Sequence, residues 1–264
     1  MHVFWLPLVL GLLSGALGGL MGVGGGIILV PLLVHALHRT QHEAHGTSLA
    51  FIISTSLVAA AFYLRVEHLD VPLAALLALG SVPGVLVGAR LSRALSGRRL
   101  RQAFGILVLL TAVRILALPP RPEAAGAAWA PVLEVALGLG VGVLAGLLGV
   151  GGGVVLVPVL VLTQRIDQHT AQGISLLMIV PTAMVGAWSH GRHGHVVTRL
   201  LPPLMLGGAA GAFVGAGIAY VLPAPLLSRV FALFLLPVGI QMIWRPLRRG
   251  ATVPESTGTQ GGLT

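Results

Sequence analysis

Cysteine and lysine are missing from this sequence, and charge of any kind is scarce: charged residues make up 9% of its 264 positions and aromatic residues 5%. The lack of cysteine excludes a disulfide framework and any thiolate metal site. The lack of charge excludes a soluble domain, which at this length needs a far larger polar coat. With 56% hydrophobic residues and a mean hydropathy of +0.96, a lipid bilayer takes the place of that coat. The lack of lysine leaves all 16 basic residues as arginine, for a net charge of +9. These arginines sit in short connections between apolar runs, so they read as topology determinants, and no nucleic-acid partner is expected.

What is present is a series of apolar stretches of roughly 17 to 20 residues, each long enough to cross ~30 Å of hydrocarbon. The first, "MHVFWLPLVLGLLSGALGG", has no basic residue ahead of its apolar core, so a retained helix is expected and not a signal peptide. It belongs to an internal repeat. Residues 11 to 34 align without a gap on residues 138 to 161, with 16 identities in 24. The register continues, so that Gly46-Thr47-Ser48-Leu49 meets Gly173-Ile174-Ser175-Leu176 and Arg65 meets Arg192. Two homologous halves follow, 1 to 118 and 129 to 249, with "PPRPEAAGAA" (119 to 128) as a linker and 250 to 264 as a disordered polar tail. In the first half the apolar segments fall at about 4–21, 26–38, 47–64, 71–91 and 102–118, and in the second they recur 127 residues later. The segment 26–38 would reach only about 20 Å as a helix, so a half-helix or a re-entrant element is expected there.

Five arginines in "RLSRALSGRRLR" (90–101) and three in "RPLRR" (245–249) predict that this connection and the C-terminus face the cytoplasm. With five segments per half, the two halves are inverted across the membrane. The expected fold class is therefore an all-α polytopic membrane protein of two inverted-topology repeats, each of about five hydrophobic segments, with a glycine-broken or re-entrant first pair. Inverted repeats are a mark of secondary transporters. Gly11, Gly15 and Gly19 repeat every four residues, as do Gly80, Gly84 and Gly88, and both triplets return as Gly138, Gly142, Gly146 and Gly207, Gly211, Gly215. Small residues at that spacing let membrane helices approach closely, so these are expected to be packing stripes.

The stretches "MGVGGGIILVP" (21–31) and "LGVGGGVVLVP" (148–158) break that spacing. Consecutive glycines in a membrane helix expose N–H and C=O groups that cost several kcal/mol each if unmet in hydrocarbon. Glycine's free φ lets successive N–H groups converge as an anion-binding nest, and a helix starting near Ile27 or Val154 adds the positive end of its dipole. A tight turn capping a structural hairpin would use the same residues, but duplication at symmetric positions points to binding. No Gly-Lys-Ser/Thr follows either copy, so neither is a nucleotide loop. The expected substrate-binding residues are Gly24, Gly25, Gly26, Gly151, Gly152 and Gly153, joined by the hydroxyls of Thr47, Ser48 and Ser175 from the following helices. Those three hydroxyls also stand where ordinary helix caps would, and both readings stay open. For Thr55 and Thr182, bonding back to the preceding turn is the plainer expectation.

The paired "GVGGGxxLVP" signatures, each followed by "A-x-G-x-S-L" (Ala44 to Leu49; Ala171 to Leu176), resemble the sulfite exporter TauE/SafE family of bacterial membrane permeases over about residues 4 to 245. The resemblance implies a multi-pass protein of the bacterial inner membrane that moves a small sulfur-containing anion such as sulfite, thiosulfate or an organosulfonate. It does not select among these anions, nor between import and export. Its partners would be that anion and the lipid bilayer, with self-association into a homo-oligomer left open.

Charges within the apolar segments are few. Glu134 is a candidate proton-coupling carboxylate, although an interfacial ion pair with Arg114 at the same face is the simpler account. Trp5, Trp129 and Trp244 read as interfacial anchors. The main alternative function is a divalent metal transporter built on His35, His38, His42 and His45, spaced as on one helix face, and on the cluster His190, His193 and His195. Against it, the first cluster crosses an expected helix end, and its repeat counterparts are Leu162, Arg165, His169 and Gln172. No nucleophile, base and orienting group occur together, so no enzyme, cofactor or resident metal is expected.

Overall fold

The computed structural model describes residues 2–94, 98–117, 130–148 and 151–244. The 119–128 linker, the centre of the 90–101 connection and the tail expected to be disordered lie outside the described residues.

The described residues form ten helices: α1 (His2–Met21), α2 (Gly26–Ala36), α3 (Gln41–Val66), α4 (Val71–Ala94), α5 (Arg98–Ala117), α6 (Pro131–Leu148), α7 (Gly153–Thr163), α8 (Gln168–Gly191), α9 (Leu201–Val221) and α10 (Ala224–Trp244), with a 3₁₀ turn at Thr198–Leu200 leading into α9. Among the described residues no strand occurs. The repeat governs helix boundaries, since α2 and α7 start at the equivalent residues Gly26 and Gly153 and end at the equivalent Ala36 and Thr163.

Helix α3 begins at Gln41, ahead of the apolar run expected from 47. The cause is a capping box: Thr40 Oγ1 accepts from Glu43 N at 3.3 Å, and Glu43 Oε2 accepts from Thr40 N at 3.0 Å. Asp167, the repeat equivalent of Thr40, caps α8 by accepting from His169 N and Thr170 N. Burial resists ionisation of Asp167, but the hydrogen bonds from His169 and Thr170 outweigh it and hold the carboxyl below the usual carboxylate range. Asp167→Ala is expected to cost about 1 kcal/mol through the lost cap. A carboxyl whose folded pKa is depressed stabilises above its unfolded pKa of about 4 and loses that contribution as the pH falls further. Thermal unfolding in detergent should therefore show the variant below wild type at pH 7 and the gap narrowing below about pH 4. A gap of constant size across that range would contradict this account.

The glycine stripes bring helices together backbone to backbone. A Cβ on Gly11, Gly15 or Gly19 of α1 would collide with Leu204, Gly208 or Ala212 of α9, and one on Gly207, Gly211 or Gly215 with Leu8, Leu12 or Ala16. The α4–α6 pair repeats the arrangement, with Gly80, Gly84 and Gly88 on Val135, Leu139 and Val143, and Gly138, Gly142 and Gly146 on Leu77, Ser81 and Val85. Residue numbers rise together along both seams, so each pair is parallel.

Equivalent helices run in opposite directions. At one end of α3, Tyr63 Oη donates to Gln172 Oε1 of α8 at 2.7 Å. At the other end the His42 ring stacks on His195 with centroids 5.2 Å apart, and Thr47 Oγ1 accepts from Val197 N at 3.0 Å. The bundle thus has a face A, holding the turns 37–40 and 192–197, and a face B, holding the turns 67–70 and 164–167. Helices α5 and α10 are antiparallel too, with Gly105 beside Met242 and Leu109 beside Gly239. This is the expected inversion in space.

The same registers decide what α2 is. Gly19 lies at Ala212, the middle of α9, so α1 enters from face A and ends shortly past the middle of the bundle. The chain then turns back at residues 22–25, and α2, about 16 Å long by its rise per residue, returns to face A, where a short turn leads into α3. The α1–α2 pair is a re-entrant hairpin, and α6–α7 repeats it from face B. By length and composition, six helices among the described residues can cross a membrane, namely α1, α3, α4, α8, α9 (with its leading 3₁₀ turn) and α10. The register against α9 shows that α1 uses its length to reach the centre. Outward side chains such as Leu79, Leu110, Leu206, Phe213 and Leu233 are all more than half exposed, an apolar belt suited to lipid. Trp5 and Trp244 stand exposed at helix ends as interfacial anchors would, and Trp129 lies outside the described residues.

Candidate functional site

The first glycine stretch separates two helices that meet at the bundle centre. Helix α1 closes with Val23 N donating to Gly18 O at 3.0 Å and Gly22 at φ 69°, the left-handed closure glycine supplies without strain. Gly24 and Gly25 follow at φ 73° and 83°, and Gly25 is the N-cap of α2 with no side-chain cap. In the second half Gly151 and Gly152 take φ 82° and 78°, and Gly152 is the N-cap of α7. The caps' carbonyls are used: Gly25 O accepts from Ile28 N and Leu29 N, and Gly152 O from Val155 N and Leu156 N. The N–H groups of Gly24 to Ile27 and of Gly151 to Val154 donate no hydrogen bond among the described residues.

The two loops touch. A Cβ on Gly153 would lie 2.9 Å from Gly22 O, and one on Gly151 would lie 3.6 Å from Val23 O. Ile52 and Ile179, equivalent by the repeat, close the gap between them. Their methyls come within 3.0 and 3.7 Å of a Cβ on Gly24 and within 3.4 and 3.7 Å of one on Gly151. Two helix N-termini whose first N–H groups donate no hydrogen bond among the described residues thus meet at the bundle centre.

The hydroxyls behave differently from expectation. Ser48 Oγ donates to Gly26 O at 3.4 Å, and Ser175 Oγ donates across the halves to Gly22 O at 3.0 Å. They are not helix caps, since Thr40 and Asp167 hold those places, and their protons go to loop carbonyls. Thr47 is turned away from its neighbour Ser48, onto Val197 N. Thr55 Oγ1 bonds back to Ile52 O, as expected, and also reaches Gly24 O at 2.7 Å. Thr182 donates to Met178 O and pairs with Ser81. Ser48, Ser175 and Thr55 are therefore ties that hold the loop carbonyls Gly26 O, Gly22 O and Gly24 O.

Glu134 sits in the first turn of α6, 8% exposed, about two helical turns from Val141, the α6 residue against Gly152. The histidines do not form one helix face. His35 ends α2, His38 turns at φ 50°, and His42 and His45 lie on α3. Across face A, the His195 ring lies 6.0 and 6.1 Å from those of His190 and His193. Among the described residues no three His, Asp or Glu side chains are arranged to hold a metal ion.

The sequence profile described as "Sulfite exporter TauE/SafE" matches residues 6–172 and 134–263. The chain belongs to the sulfite exporter TauE/SafE family. Two profile matches on one TauE/SafE chain agree with its two-half build. The chain is similar to the probable membrane transporter protein YunE of Bacillus subtilis (strain 168), 29% identical with 91% of this chain and 97% of that protein covered. It is also similar to a probable membrane transporter protein of Xylella fastidiosa (strain Temecula1 / ATCC 700964), 30% identical over 89% and 92% of the two chains. No solved structure matches. This TauE/SafE chain is thus a multi-pass membrane transporter. An apolar cavity of about 170 Å³ between α5 and α7, lined by Leu107, Val108, Val155 and Pro158, offers an anion nothing, since the hydroxyls of Thr111 and Thr163 at its rim are spent on Leu107 O and Val159 O.

Proposed function

We propose that the protein is a secondary carrier of the bacterial inner membrane for a small sulfur oxyanion, sulfite, thiosulfate or an organosulfonate, bound where the two glycine loops meet. The observation that carries this reading is the pair of unspent N–H runs, Gly24–Ile27 and Gly151–Val154, at facing helix N-termini in the bundle centre. A compact oxyanion needs several donors and a modest positive potential, and the glycines themselves add no side chain to the site. The re-entrant hairpins enter from opposite faces, so parting Ile52 from Ile179 toward one face or the other would expose the centre to each side in turn.

Orientation follows from charge. Face A carries Arg39, Arg192 and Arg199 and the ends of α4 and α5 that hold Arg90, Arg93, Arg98, Arg99 and Arg101, against Arg65, Arg114, Arg165 and Arg229 at face B. The ends of α4 and α10 that lead into 95–97 and the C-terminus also lie at face A. Face A is therefore assigned to the cytoplasm.

The test is uptake by proteoliposomes holding purified protein, with labelled sulfite, thiosulfate, sulfate and a small sulfonate, each beside a divalent-metal control. Saturable flux of a sulfur anion, with competition among the anions, is the expected result. Metal flux without anion flux would refute the reading and move the function to the histidines of face A.

A further inference from the structure

The two glycine loops share a backbone course but not a chemical setting. Around the first loop, three buried side chains hold a polar atom with no hydrogen-bond partner among the described residues: Ser14 Oγ, Ser56 Oγ and Gln172 Nε2. All three residues are fully buried. Ser56 Oγ lies 2.7 Å from where a Cβ on Gly24 would stand, the Ser14 backbone abuts Gly25, and the Gln172 stem lies along Gly22. The Gln172 carbonyl end is fixed by Tyr63 Oη, which leaves the amide N–H₂ as its unspent end. Around the second loop, Val141 stands in the place of Ser14 and Ala183 in that of Ser56, and Gly152 packs on Val141 and Ala145.

A buried hydroxyl or amide left unpaired is costly, and three around one loop call for a partner that is not found among the described residues. We infer that the anion docks on the first loop, with Ser14, Ser56 and Gln172 as donors beside the backbone N–H groups, and that the second loop contributes backbone alone. This rests on the oxyanion reading above and deepens it. Three side-chain donors suit a group presenting three oxygens, such as the –SO₃ of a sulfonate, better than a carboxylate with two.

The assignment separates structure from binding, because Ser56 Oγ makes no hydrogen bond among the described residues. Ser56→Ala should keep or raise the melting temperature in detergent and raise KM for thiosulfate or methanesulfonate about tenfold, the size of a lost hydrogen bond to a charged group. Ser14→Ala should act in the same direction, while the mirror change Ala183→Ser should leave KM within about twofold. Both anions are fully ionised near neutral pH, so substrate protonation does not enter. If Ser56→Ala and Ser14→Ala both keep wild-type KM, or if Ala183→Ser shifts it as much as they do, the inference is overturned while wild-type flux still supports the carrier. If wild type moves no oxyanion, the carrier reading falls first and takes this assignment with it.

Discussion

Replacing Gly25 with valine is expected to abolish anion flux, by at least about a hundredfold, in protein that still inserts into the membrane. Gly25 sits at φ 83°, its added Cβ would collide with Ser14 O, and the Phe51 ring lies 3.3 Å from the same point. A left-handed conformation costs an ordinary residue roughly 1–2 kcal/mol, and more when it is β-branched. The collision is with backbone, so no side-chain rotation relieves it. The loop must open, and the N–H groups of Gly24 to Ile27 then cease to converge. A loss of a hundredfold corresponds to roughly 3 kcal/mol of substrate stabilisation, within reach of losing two hydrogen bonds to a charged group. Gly152→Val should do the same, since Gly152 is at φ 78° and its Cβ would lie 2.8 Å from Val141 Cγ1. Uptake into proteoliposomes with matched protein content measures both, and normal flux in both variants would sink the nest. Gly140→Ala and Gly217→Ala serve as controls, because nothing lies within 4 Å of a Cβ at either position.

The largest effect on stability is expected from Gly15→Leu. Gly15 meets Gly208 across the α1–α9 seam, and a Cβ added to Gly15 would collide with the Gly208 backbone. A leucine there would drive the helices apart along the whole stripe, from Gly11 to Gly19, with no flexible side chain available to yield. Overpacking a core costs about 1–3 kcal/mol, and a rigid backbone neighbour puts this case at the upper end. For a chain of this size that is a fall in melting temperature of roughly 6–12 °C. Gly142→Leu, facing Ser81 on the equivalent α4–α6 seam, should match it within a few degrees. Thermal unfolding in detergent decides, and a variant that melts with wild type would show that the seam is not a close contact.

Much of this architecture was legible because duplication makes a sequence its own control. The 127-residue offset that aligns Gly26 with Gly153 also places the starts of α2 and α7, and the four-residue glycine spacing marks both seams. Hydropathy misjudged the start of α3, since "QHEAHG" is polar and the Thr40–Glu43 capping box that begins the helix carries no apolar signal. The glycine loops stood out by their missing side chains. The hydroxyl ties of Ser48, Ser175 and Thr55 did not, because whether a hydroxyl faces a ligand or a carbonyl depends on a rotation about the helix that only packing sets. Thr47 and Ser48 are adjacent in sequence yet bond in different directions. Ser14, Ser56 and Gln172 were missed for the opposite reason to the glycines. Their repeat partners are Val141, Ala183 and His45, and a search for what the halves share passes over what they do not.

The Tyr63–Gln172 hydrogen bond near face B has a consequence for how such a molecule idles. When two inverted halves rock about a common axis, closing one face and closing the other are one motion with the roles of the halves exchanged. Two identical halves would make those forms equal in free energy, each occupied half of the time. Any resting preference must then come from positions where the repeats disagree. The counterparts of Tyr63 and Gln172 are His190 and His45, so the phenol–amide bond near face B cannot be reproduced near face A. A difference of about 1.4 kcal/mol between such unlike pairs is enough to turn even odds into ten to one. In a carrier that rocks in this way, the side on which the empty molecule waits is written in the mismatches between its halves.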